Sequence, residues 1–156
     1  LNIWRSAIVA LTAAIALLPV PALCAPSDTS GVMATVNGAV AAFNGHDAKR
    51  WSAACDSPAS IIDVFPPNAW SGPTACSDWM NAFDAFNKKS GLSWGTLNIG
   101  TAWHIAVTGS HAYTVFPATY TYRIKGKPAR EAGVFTLVLT RTRPGWRIVA
   151  WSWAQH

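Results

Sequence analysis

HAYTVFPATYTYRIKGKPAREAGVFTLVLTRTRPGWRIVAWSWAQH, residues 111–156, is the stretch that sets the architecture. His111 to Ile124 is rich in Tyr, Thr and Val, which suit a pleated, half-buried surface. Lys125-Gly126-Lys127 forms a hairpin tip, and Lys127 to Arg143 is a second extended run. Pro144-Gly145 turns into a third, Trp146 to Gln155. Upstream, Leu92 to Val107 predicts one more long strand, bulged at Gly95 or Gly100 and joined through Thr108-Gly109-Ser110. Short connections between four long strands make an antiparallel meander. Within it Phe135, Leu137 and Leu139 share one face, and Thr136, Val138 and Thr140 share the other. The first face must cover a core. The second is half apolar rather than charged, which predicts a homodimer through the outer sheet face.

The residues before the meander switch to a helical period. Val32, Val36, Val40 and Phe43 fall on one helix face, and Gly45 stops it. Asp47 is the N-cap expected for a short second helix, Ala48 to Ala54. Ala59 to Phe65 is a β-branched run broken by Pro66 and Pro67, and Trp70-Ser71-Gly72 ends its hairpin partner. Pro73 to Ser90 predicts a third helix with the stripe Trp79, Phe83 and Phe86. The expected fold class is therefore α+β, with three helices packed on a long curled sheet.

The chain opens with an export pattern. Arg5 precedes an uncharged run from Ala7 to Leu18, too short for the roughly 20 apolar residues of a spanning helix. Pro19, Pro21 and small residues follow, which predicts a cleaved signal peptide over 1–24, a linker over 25–30 and one domain over 31–156. The mature protein is then secreted or periplasmic, with no membrane attachment after cleavage. Its remaining cysteines, Cys55 and Cys76, are expected to pair in an oxidising compartment.

Composition excludes several classes. The chain is 51% hydrophobic and 12% charged, which rules out disorder. Its net charge of +5 falls to +4 without Arg5, and the basic residues are scattered, so no nucleic-acid partner is expected. The four His form no i, i+4 or HxH cluster with a carboxylate, so no metal site is expected. A nucleophile elbow, a phosphate loop and a dinucleotide fingerprint are missing from the sequence, and no cofactor is expected.

NGHDAKRW at 44–51, IIDVFPPNAWSGPTA at 61–75 and the closing GWRIVAWSWAQH carry a resemblance. With the order α-α-β-β-α-β-β-β-β, the chain resembles the SnoaL-like, or nuclear-transport-factor-2-like, superfamily. The resemblance implies a cone in which the sheet wraps the helices around a largely apolar central pocket. It also implies distant similarity to ketosteroid isomerases, whose catalytic Asp corresponds to Asp63, nine residues before Gly72 and sixteen after Asp47. The isomerase's oxyanion donors are not matched: the equivalent positions hold Ala39 and an apolar residue near Val138.

Asp63 is thus the candidate general base, since an acid in an apolar setting binds its proton more tightly. The candidate ligand-binding residues are Trp70, His104, Tyr120, Tyr122 and Phe116, with Tyr120 and Tyr122 sharing a strand face with Phe116 and His104 a possible partner for Asp63. Trp151 and Trp153 share a face of the last strand, where they suit either an aromatic wall or a dimer interface, with Trp103 as a neighbour. Glu131, beside Arg130 near a hairpin tip, is taken as a surface charge. The functional expectation is a small-molecule-binding domain for an apolar or aromatic ligand. If it is an enzyme, it is an isomerase, lyase or cyclase with Asp63 as base. The alternative is a non-catalytic ligand-binding or dimerisation module.

Overall fold

The computed structural model describes residues 28–156, so the leader and residues 25–27 lie outside the described residues. Among the described residues there are three helices: α1 (Thr29–Asn44), α2 (Ala48–Ala54) and α3 (Ala75–Ser90). Two short strands, β1 (Cys55–Ile62) and β2 (Ala69–Gly72), precede α3. After it come β3 (Thr96–Ile99), β4 (His104–Thr108), β5 (His111–Ile124), β6 (Lys127–Thr142) and β7 (Gly145–Gln155). The sheet runs β2-β1-β7-β6-β5-β3, with β4 also paired to β5. All of these pairings are antiparallel except β1 with β7. The result is the α+β cone expected, a curved and unclosed sheet wrapped around helices.

The boundaries differ from expectation in four places, each for a local reason. Thr29 and Ser30 belong to α1 rather than to a linker. The strand expected over 92–107 is divided into β3 and β4. Opposite the break stands Pro117, which has no N–H to continue the ladder. The chain loops out there, and Gly100 N–H and Trp103 N–H donate to the carbonyls of Pro117 and Val115. β1 starts at Cys55, not Ala59, and ends at Ile62, so Asp63 sits just past the strand. Finally, α3 starts at Ala75 rather than Pro73, after Thr74 Oγ1 donates to Asp78 at 2.6 Å.

The narrow end of the cone is solid. Val32 and Val36 of α1 and Phe116, Leu137, Leu139 and Ile148 of the sheet are all fully buried there. At the other end α1 is clasped to the edge strand. The Asn44 side chain donates to Leu97 O at 2.9 Å and accepts from Leu97 N at 2.8 Å. Asp47 caps α2 by accepting from Arg50 N–H at 2.9 Å, the role its position predicts.

Cys55, at the start of β1, is disulfide-bonded to Cys76 in the first turn of α3. The bond closes a loop spanning 21 residues that contains β1, β2 and Asp63. By the chain-entropy argument such a loop closure stabilises the fold by about 3 kcal/mol. Urea unfolding with and without reductant should therefore differ by roughly that amount. Coincident curves would show that the bond contributes no stability.

Candidate functional site

The wide end of the cone holds a cavity of about 320 Å³. Phe43 of α1 and Trp51 of α2 form part of its wall, with Trp79, Phe83 and Phe86 of α3 beside them. The sheet contributes Tyr120, Tyr122, Glu131, Phe135, Trp151 and Trp153. Exposed Val64, Pro66 and Gln155 line it toward solvent. Eleven of its nineteen lining residues are aromatic, and the rings pack on one another: Trp79 stacks on Phe83 at 5.2 Å and meets Trp151 edge-on at 4.7 Å.

Asp63 is placed by a short closed loop. Its N–H donates to Asn68 O at 3.0 Å, and the Asn68 side chain donates back to the carbonyls of Asp63 and Val64. Asn68 adopts a φ of 73°, a left-handed conformation that Asn tolerates better than most residues. This turn aims the carboxylate at α3. Trp79 Nε1 donates to Asp63 Oδ2 at 2.8 Å, and Val64 N–H donates to Oδ1 at 2.7 Å.

Burial pushes the Asp63 carboxyl up from 3.8 to about 6. The two donated hydrogen bonds pull it back, and the charge of Glu131 adds a smaller push upward. At neutral pH the group is mostly ionised, yet a stronger base than a solvated Asp.

Glu131 is not a surface charge. It is half-buried on the cavity wall, and Trp153 Nε1 donates to its Oε1 at 2.5 Å. Gly133 makes this possible: a Cβ there would lie 2.5 Å from Trp153 Cζ2, so only glycine lets the indole lie across β6. The signal was present in the alternation, because residue 131 has the same parity as Phe135 and Leu137. Its nearness to the hairpin tip concealed it.

The sequence-predicted binding residues divide. Tyr120 and Tyr122 line the cavity and stack on each other at 5.1 Å. Gly95 N–H donates to the Tyr120 hydroxyl at 2.8 Å, and burial raises that phenol to about 12. Phe116 shares their face but lies deeper, in the packed core. Trp70 packs on Phe65 at 5.0 Å, behind the wall rather than on it. His104 is exposed on β4 beside Tyr113, and is not brought together with Asp63. Trp103 is 62% exposed and joins neither Trp151 nor Trp153, since it sits in the β3–β4 loop. Ala39 is on the buried face of α1, and Val138 falls on the opposite sheet face, so the isomerase's donor positions carry no polar group here.

Three buried N–H donors on cavity-lining residues have no hydrogen-bond partner: Trp51 Nε1, Trp151 Nε1 and Asn87 Nδ2. None of the described Lys, Arg or His residues lines the cavity. Nor, among the described residues, do three or more His, Cys, Asp or Glu gather where they could hold a metal ion.

The raised carboxyl makes a stability prediction. Asp63 binds its proton more tightly folded (about 6) than unfolded (3.8), so its contribution is fully present below pH 3.8 and is lost as pH rises through 6. A shift of this size corresponds to about 3 kcal/mol. Wild type should therefore lose about 3 kcal/mol relative to Asp63→Asn between pH 3 and pH 7, measured by urea unfolding. A constant difference across that range would mean the carboxyl is not desolvated.

Comparisons with known proteins agree with this architecture. Residues 32–153 match the SnoaL-like domain family. A nuclear-transport-factor-2-like protein with a cystatin-like fold from Novosphingobium aromaticivorans superposes with a TM-score of 0.67 at 16% identity, covering 82% of this chain and 81% of that one. A hexachlorocyclohexane dehydrochlorinase of type 2 gives 0.69 at 9% identity, covering 83% and 85%. A ketosteroid isomerase-like protein from Erwinia carotovora atroseptica gives 0.66 at 14% identity, covering 82% and 95%. These likenesses concern the fold alone, and no curated protein matches the chain. On the match over residues 32–153, the chain belongs to the SnoaL-like domain family.

Proposed function

We propose that this domain binds a small, largely apolar molecule in its aromatic cavity and removes a proton from it, with Asp63 as the general base. The observation that carries this reading is the Asp63 carboxylate itself. It is buried on the wall of an apolar cavity, oriented by two donated hydrogen bonds and titrates near 6. A purely structural acid needs no cavity beside it.

The same wall offers support for developing negative charge. The Tyr120 hydroxyl accepts from Gly95 N–H and so keeps its own proton to donate. Donors in a dry site stabilise an enolate-like anion far better than they do in water. The geometry suits an isomerase, lyase or cyclase step, and the structural neighbours named dehydrochlorinase and isomerase-like fit that class of chemistry. The second reading is a binding module without chemistry, in which the two carboxylates only select the ligand.

Two features of setting go with this proposal. The disulfide supports export, because such bonds persist in oxidising compartments. The outer sheet face supports a homodimer: its centre carries Tyr113, Val115, Val134, Val138 and Ala150, and no charged side chain lies between them. Protein recovered outside the cytoplasm should start at Ala25, carry no free thiol and sediment at twice its mature mass. A monomer, or a retained leader, would remove the corresponding claim.

The base assignment is tested with an apolar carbon acid. 2-Tetralone in D₂O, followed by proton NMR, should exchange its acidic C–H faster with wild type than with Asp63→Asn, by about 100-fold or more. The wild-type rate should rise with pH through about 6, as the carboxyl ionises. Equal rates in the two proteins would take Asp63 out of the chemistry and leave the binding module.

A further inference from the structure

The charge of the cavity is opposite to that of the chain. The sequence carries a net +5, yet the cavity wall holds two carboxylates, Asp63 and Glu131, and no described basic residue. Both acids are held by indoles, Trp79 on the helix side and Trp153 on the sheet side, and eleven aromatic rings enclose the space between the helices and the sheet.

This combination discriminates among ligand charges. An anion would meet two carboxylates in a low-dielectric space with no basic residue to offset them, and like charges there repel strongly. A neutral ligand gains from packing on the rings, but it strips water from both acids and brings no charge to offset that loss. A cation offsets both losses. It pairs with the carboxylates and also gains from the electron-rich faces of the aromatic rings, which attract ammonium groups.

We infer that the ligand of this cavity is an organic cation, an alkylated or quaternary ammonium carried on an apolar or aromatic body. The inference deepens the proposed function and rests on its reading of the cavity as a ligand site. It does not depend on Asp63 acting as a base. Glu131 is then a selectivity residue. Its carboxylate is oriented by Trp153, and Trp153 is positioned by the missing side chain at Gly133. The ammonium pairs with the carboxylates, and the apolar body packs on the surrounding aromatic rings.

The test uses three probes of one shape class on the folded, oxidised protein: benzyltrimethylammonium, its neutral carbon isostere neopentylbenzene, and the anion phenylacetate. Binding is read by calorimetry and by quenching of the cavity tryptophans. The cation should bind at least about tenfold more tightly than the neutral isostere, the scale of one desolvated cation–aromatic contact. Phenylacetate should not bind. Glu131→Gln keeps an oxygen for the Trp153 N–H but removes one charge, so it should bind the cation more weakly, bind the neutral probe at least as tightly as wild type does, and lose most of the preference between them. Neopentylbenzene binding as tightly as the cation, or phenylacetate binding at all closely, would overturn the inference and leave the apolar-pocket reading standing. Glu131→Gln retaining the full cation preference would overturn the role given to Glu131. If none of the three binds to wild type, the ligand-site reading itself fails along with the inference.

Discussion

The hydrogen bond from Trp79 Nε1 to Asp63 Oδ2 joins the two halves of the site. One partner comes from the turn after β1 and the other from the second turn of α3. Neither element faces the cavity correctly without the other. The Cys55–Cys76 bond fixes the near ends of both, so the segment carrying Asp63 can move little relative to the helix that donates to it. Around this bond the rings of Trp51, Phe65, Phe83 and Trp151 close in on Trp79. They supply the burial that strengthens the carboxylate as a base. A buried acid with no donor would be neutral and useless as a base; a solvated one would be ionised but weak. The indole bond places Asp63 between these limits.

Most of the architecture was legible because it rests on periodicity. The helix face of Val32, Val36, Val40 and Phe43, the Asp47 cap and the alternation of Phe135, Leu137 and Leu139 are local patterns, and the fold preserves each of them. The division of β3 from β4 was not legible by the same route. It follows from Pro117, one strand away, so it depends on a pairing rather than on the residues that break.

The site was legible only in part, for a related reason. Parity along a strand says which face a side chain takes, but not how far along the cone it sits. Phe116, Tyr120 and Tyr122 share a face, yet the first is in the solid core and the other two line the cavity. Glu131 failed in the opposite direction. Its parity pointed inward, and closeness to the hairpin tip outweighed that signal. His104 and Trp70 were grouped with Asp63 by their chemistry, although the sheet puts His104 outside and Trp70 behind Phe65.

In the function proposed above, the two carboxylates let one wall serve binding and chemistry without conflict. Each is held by a tryptophan N–H, a donor that carries no charge and so leaves the acid's own charge uncompensated. Had Arg or Lys held them instead, the pair would be neutralised, Asp63 would be driven down as an acid and the cavity would have no preferred ligand charge. Indole donors orient the carboxylates while preserving their field. That choice of partner also explains the concentration of tryptophan at the wide end. Trp79 and Trp153 hold the acids, Trp51 and Trp151 keep water from them, and the positive charge of the chain lies on other surfaces. A site built in this way is poised for a ligand that brings the missing positive charge with it.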